Sequence, residues 1–309
     1  VDDQGTTVGN YNNDGAIGDH AIAIGPDAQA VGMRVLSIGN NAGNNAINAH
    51  TTMFLGESSG YNSENAINSV FLGGQSGAYS ANVTDSQFFG YSAGIDASNV
   101  SGSNFMGFNV GQGAQDVVFS NYLGNAGRDS NGVTLSTIIG YDAGNEAKSV
   151  LQSQMLGSSS GERTENITFS NMLGYGSGGD SKNVHFSDYI GFIAGNRSEG
   201  SYNTAIGYTS SLALSGDGNV SIGKMSNSLT ELNPYLGWFD RAGNPIAQPL
   251  SHKVSNSVAL GALSLSTQND GVALGSNSIA STDAGITGTF APTANPSTTD
   301  DLSNPDSHI

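Results

Sequence analysis

The chain has 309 residues, 44 of them Gly and only 11% charged, with 9 basic and 26 acidic residues for a formal net charge of −17. That balance excludes nucleic-acid binding and attraction to anionic membranes, which need a basic face. The lack of Cys excludes disulfides, iron–sulfur clusters and Cys-based zinc sites. Sparse charge and no long window of 3.6-residue periodicity predict very little helix.

The chain opens at Val1 without a Met or a secretion signal, which reads as a processed chain or an excised fragment. Residues 1–20 are expected to lead into a repeat array. From residue 21 two bulky residues followed by Gly recur, anchored first at Gly25, Gly39, Gly56, Gly73, Gly90 and Gly107 and continuing to Gly223. The spacing is 14 at first, then 16 or 17, and after a gap of 38 it returns to 14 between Gly261 and Gly275. A second Gly follows most anchors by four residues, as at Gly60, Gly77 and Gly94, then a Val or Ile, then a Ser four residues before the next anchor. Each unit thus predicts two short strands separated by turns. One unit cannot bury a core, but stacked units can. The expected fold is all-β: a parallel β-solenoid of about fifteen rungs and roughly 70 Å long. Its rungs run over 21–223 and 257–281.

Two apolar columns precede the anchors. One holds Leu55, Leu72, Phe89, Met106, Leu123, Ile139, Leu156, Leu173 and Ile190. The other holds Phe54, Phe71, Phe88, Phe105, Tyr122, Ile138, Met155, Met172 and Tyr189. Neighbouring strand residues point to opposite faces, so one column fills the coil and the other needs a cover. Nine large side chains would contribute roughly 14–27 kcal/mol if buried. The aromatic stripe, if left exposed, would invite aggregation. It is therefore expected to pack on further copies of the chain around an axis. The columns do not settle the copy number or which column faces the axis.

GYSAG (90–94) has the G-x-S-x-G spacing of a serine-hydrolase nucleophile elbow, as do GESSG (56–60) and GSSSG (157–161). Ser92, however, shares its column with Asn41, Gln75, Asn109, Asp142, Gly176 and Ile193. A nucleophile would not be an interchangeable member of a turn column, so no catalytic residue is predicted and the chain is not expected to be an enzyme. The five His share no column, no calcium nonapeptide is present, and no metal or other cofactor is predicted. Basic residues from Arg128 onward fall about once per rung among Asp and Glu, which predicts a solvated, self-paired edge.

Residues 224–256 interrupt the array and should protrude between rungs. They hold the only Trp and a turn through Ala242, Gly243 and Asn244. Tyr235, Trp238, Phe239 and Arg241 are the candidate receptor contacts, being typical binding anchors. Packing of Trp238 back on the solenoid is the plainer expectation. Residues 282–309 read as a linker or a truncated insert.

AIAIGPDAQAVG (21–32), SVALGALSLS (257–266) and GVALGSNSIAS (271–281) resemble the head repeats of trimeric autotransporter adhesins, the YadA-like family. TIIGYDAG (137–144) and QFFGYSAG (87–94) resemble a longer variant. The resemblance implies a left-handed parallel β-roll assembled as a homotrimer. It implies a place on the bacterial cell surface, at the extracellular tip of a fibre anchored in the outer membrane. The implied role is virulence-associated adhesion to host extracellular matrix, cell-surface receptors or other surfaces. The anchor and the heptad stalk of the family are absent from this chain, so no membrane contact is expected within it. A trimeric bacteriophage tail fibre or receptor-binding solenoid is the alternative.

Overall fold

A computed structural model describes residues 14–233 and 236–281. Among these there is no helix. Fifteen short strands, from Ile22–Ile24 to Val272–Leu274, form one parallel sheet in strict chain order. Eleven further strands, from Glu64–Ile67 to His252–Lys253, form a second parallel sheet. The chain alternates between the two sheets and stacks about fifteen turns of a β-solenoid.

Register follows the repeat. Phe71 lies opposite Phe88, and Phe88 opposite Phe105, while Val83 lies opposite Val100 in the second sheet. The 16-residue rung keeps both registers, with Tyr122 opposite Ile138 and Val117 opposite Val133. Its missing residue therefore falls in the turn, where no ladder is disturbed.

Corners come from left-handed backbone. The second residue after the anchor has φ near +55°, as at Ser58, Gln75, Ser92 and Asn109. The sixth repeats it, as at Asp96, Glu146 and Asp180, and the residue before the column Ser repeats it again, as at Asn68 and Asp85. Asn, Asp and Gly tolerate this conformation best, which explains much of the polar composition.

The two glycines have separate jobs. A Cβ on Gly90 would lie 2.1 Å from the carbonyl oxygen of Gly107 in the next rung. The anchor column is therefore a line of close backbone contacts that admits no side chain. A Cβ on Gly94 would lie 2.4 Å from the Phe88 ring. The second glycine makes room for the aromatic residue of its own rung.

This pairing corrects one expectation. The aromatic column does not face other copies of the chain; it fills the coil. Phe54, Phe71, Phe88, Phe105, Tyr122, Ile138, Met155, Met172 and Tyr189 are all buried within one chain. Rings from Phe71 to Tyr122 stack at centroid distances of 4.7–4.9 Å, within the range where aromatic pairs add stability beyond their buried area. The Tyr122 hydroxyl is matched to Ser130 at 2.9 Å, and burial pushes its ionisation well above the ordinary range. The aliphatic column points outward from the first sheet. Leu55, Phe89, Leu123, Ile139, Leu156 and Leu173 are half-buried, while Leu72, Met106 and Ile190 are exposed.

The column Ser also has a defined task. Ser103 Oγ accepts from the Ser120 backbone N–H at 3.0 Å and donates to the Ser101 carbonyl at 2.9 Å. The same link joins Ser69 to Ser86, Ser86 to Ser103 and Ser120 to Ser136. The hydroxyl satisfies an N–H buried at the corner between the two sheets, which would otherwise be costly.

Candidate functional site

The insert expected over 224–256 is shorter than that: residues 225–228 and 252–256 bond to neighbouring rungs, so only about residues 229–251 leave the stack, and the solenoid closes behind them. Val220 on one side lies opposite Val258 on the other, and Leu214 opposite His252. The excursion forms its own antiparallel sheet from Thr230–Asn233, Gly237–Asp240 and Pro245–Ile246. Its tip is the expected turn. Asn244 donates from its backbone N–H and side-chain amide to the two carboxylate oxygens of Asp240, at 2.8 and 2.9 Å. These bonds hold the Asp240 carboxyl below the usual carboxylate range.

The sheet is laid back onto the rungs. Arg241 donates to the carbonyls of Ser228 at 2.6 Å, Leu263 at 2.8 Å and Met225 at 3.0 Å. A fourth bond reaches the Ser264 carbonyl at 3.3 Å. Burial lowers the Arg241 pKa. The guanidinium, with five donors in a planar fork, thus clasps two successive turns of the solenoid. Trp238 packs on a small buried cluster of Ile193, Leu212 and Ala213, against which Phe192 packs as well.

The candidate receptor contacts are therefore not gathered into one exposed patch. Arg241 is turned to the backbone of the coil, and Trp238 to its side. Phe239 is adjacent to Trp238 on the same strand and points to the other face of the inserted sheet. Tyr235 lies outside the described residues. An insertion has to satisfy its own backbone and apolar groups, and here the nearest partners are the rungs it interrupts.

The charged edge is self-paired. Arg128 meets Asp142 at 2.9 Å, and Lys182 meets Glu165 at 3.6 Å. Arg163 bonds Asp180 at 2.7 Å and also Glu162, while Arg197 reaches Asp180 at 3.8 Å. The side chains keep a quarter to two-thirds of their exposure, so each pair contributes little stability.

Between this edge and the inserted sheet lies a cleft of about 190 Å³, walled by Trp238, Tyr175, Glu162, Asp180, Asn196 and Arg197. Sequence reasoning missed it. Its signal is the rung GYGSGGDS (174–181), which carries Gly where neighbouring rungs carry side chains.

A second missed feature is a row of large residues in left-handed corners. Phe119, Leu135, Phe169, Phe186 and Tyr202 have φ of 49–60° and are 45–64% exposed. Phe169, Phe186 and Tyr202 stack on one another at 5.0 and 5.3 Å. Their column holds Asn68, Asp85 and Gly102 earlier in the chain, the residues this geometry prefers.

Ser92 belongs to no triad. It is buried, with Oγ 3.4 Å from the amide oxygen of Gln75 one rung away, and no helix follows it. Asp142, Asn109 and Gln75 have the same backbone shape at the same corner. Among the described residues no cluster of His, Asp and Glu could hold a metal ion.

The geometry defines a class: a long parallel solenoid with repetitive outward columns and a laid-back insert. Residues 16–42 and 255–278 match the family model described as the YadA head domain repeat. The solenoid thus carries the YadA head repeat at both of its ends, and the rungs between continue the same coil. No curated protein matches the chain.

Proposed function

We propose that the chain is the head of a bacterial trimeric autotransporter adhesin, displayed at the cell surface and acting by attachment rather than catalysis. The observation that carries this reading is the outward column of the first sheet. All fifteen of its strands place an Ile, Leu, Met or Phe there, from Ile24 through Leu156 to Leu274. In-register strands stand about 4.8 Å apart, so the column is a continuous apolar stripe on a single chain. Covering it at roughly 1 kcal/mol for each half-exposed side chain would contribute about 15 kcal/mol per protomer. Over three protomers the sum exceeds two association costs of about 4–15 kcal/mol each. Two further copies around an axis cover the stripe on every protomer at once, and closed symmetric assembly leaves no unpaired face. The head repeats at both ends support the same assembly and the left-handed coil of that family. A trimeric rod then presents every outward column three times, so many weak contacts with matrix or cell surfaces add through multivalency.

Sedimentation of the full chain tests the assembly, with Leu72→Asp/Leu156→Asp as the comparison. The chain is expected to sediment as a trimer and the double variant as a monomer or a poorly folded species. A folded monomer for the unaltered chain overturns the reading. Beads coated with the trimer should be retained on surfaces bearing extracellular-matrix proteins or cells. Beads coated with the double variant should not.

A further inference from the structure

We infer that the cleft between the inserted sheet and the rung 174–190 is a binding site for one ring of a neutral saccharide. The inference rests on the adhesin-head reading and names the class of receptor group this part of the head would take.

The cleft exists because one rung is stripped of side chains. Gly176 stands in the column of Ser159 and Ile193, and Gly179 in the column of Glu162 and Asn196. Packing does not demand either glycine. Gly176 has φ of +58°, which favours Gly, but Ser159 and Ile193 hold the same angle with side chains, and a Cβ on Gly176 would meet only Ile193 Cγ1, at 3.3 Å. A Cβ on Gly179 would meet the flexible amide end of Asn196 at 2.9 Å, at a backbone angle open to any residue. The result is a slot one rung deep between two rungs that keep their side chains, roughly 10 Å from centre to centre. Trp238 closes it from the insert, fixed by its packing on Ile193 and Leu212.

The walls have the chemistry of a polyol site. Hydroxyl groups both donate and accept, so a site for them needs both kinds of partner. Glu162 and Asp180 supply acceptors, and Asn196 and Arg197 supply donors. The charges cancel locally, because Asp180 lies between Arg163 and Arg197 and Glu162 is paired with Arg163. That balance disfavours a strongly charged ligand. The apolar faces of a pyranose would rest on aromatic rings. Trp238 is one; Tyr175 is the other, about half exposed, with one face stacked on Phe192 at 5.1 Å. The residue preceding Tyr175 in this column is Ser158, so no ring covers its other face. At about 190 Å³ the cleft is smaller than a drug-sized pocket and suits a single ring.

Trp238 is the sole Trp in the chain, so its emission reports on the cleft alone. The full-length chain is titrated with neutral hexoses and N-acetylhexosamines, and with glucuronate and glucosamine as charged comparisons. At least one neutral sugar should give a saturable change with a Kd on the order of 1 mM. Gly179→Asn installs the side chain of the neighbouring Asn196 and should weaken binding at least about 10-fold, or 1.4 kcal/mol. Tyr175→Ser copies Ser158 at an exposed position and should do the same, with the circular dichroism of the solenoid unchanged. The inference is overturned by no saturable change up to about 100 mM, by equal affinity in both variants, or by a response to the charged sugars alone. Attachment of trimer-coated beads is measured in parallel. Attachment without any sugar response overturns the cleft assignment and leaves the adhesin reading standing. Sugar binding by a folded monomer does the reverse.

Discussion

Gly94→Ala is the sharpest probe of how these rungs are built. The added Cβ would lie 2.4 Å from two atoms of the Phe88 ring, at φ of +65°. The backbone term alone costs about 1–2 kcal/mol for a residue with a Cβ. Overpacking adds about 1–3 kcal/mol, because the ring is held between Phe71 and Phe105 at 4.9 and 4.7 Å and cannot retreat along the stack. A total of roughly 2–5 kcal/mol is expected. Phe88→Ala by itself should cost about 3–5 kcal/mol, from lost transfer energy and the cavity left in a dry column. In the double variant the new methyl enters that cavity. The clash disappears, and only the backbone term of Gly94→Ala remains. The two costs should then fall short of additivity by about 1–3 kcal/mol. Urea unfolding followed by circular dichroism, at one fixed protomer concentration, gives all four corners of the cycle. Additivity within about 0.5 kcal/mol would refute the matched pairing of aromatic and second glycine.

Other expectations follow from single contacts. Ser103→Ala strands the buried N–H of Ser120 and should cost about 1–3 kcal/mol, with faster hydrogen exchange at that amide. Asn99→Ala loses only an exposed bond to the Asp116 carboxylate but places Ala at φ of +55°, so it should cost about 1–2 kcal/mol by the same unfolding assay. Arg241→Met removes four bonds to solenoid carbonyls, so the inserted sheet should detach. Trp238 emission should then shift to the red, and proteolysis within 230–247 should accelerate. His252 is held neutral mainly by burial, and the nearby Arg241 charge acts in the same direction, although its Nε2–H bond to the Ser266 carbonyl opposes them. Its folded pKa lies below the ordinary value near 6.5, so below about pH 6.5 the unfolded chain takes up the proton first. Stability is unaffected by this group above that pH and falls with acidification until the folded pKa is passed. Thermal unfolding between pH 7 and 5 should show the loss, and His252→Gln should flatten it.

Much of the coil was legible because its constraints are local and repeated. A position that must adopt φ near +55° in rung after rung favours Gly, Asn, Asp and Ser there, although Ile193 and Phe186 show that other residues are tolerated. An N–H that must be satisfied at every corner selects a hydroxyl there. The insert was legible only as an interruption with a turn. Nothing in WFDRAGNP says that Arg241 will find the carbonyls of Met225 and Leu263, because those contacts join segments up to 22 residues apart across a stack of turns. Trp238 and Arg241 look like receptor anchors in sequence because a Trp or Arg in a loop has the same composition whether it faces solvent or clasps a neighbour.

Length, glycine spacing and the two apolar columns by themselves determined a stacked parallel solenoid with very little helix, and reduced GYSAG to the corner of one rung. Period and backbone preference are properties of the chain, and every rung states them again. Only the tertiary structure decided which apolar column turns inward. Two adjacent strand residues are equivalent by pattern, and the choice between them lies in the three-dimensional fit of Phe88 over Gly94. The cleft beside Trp238 was likewise decided there. It is bounded by three rungs and an insert more than forty residues further along, and bare glycines become a hollow only when their neighbours stand above and below them.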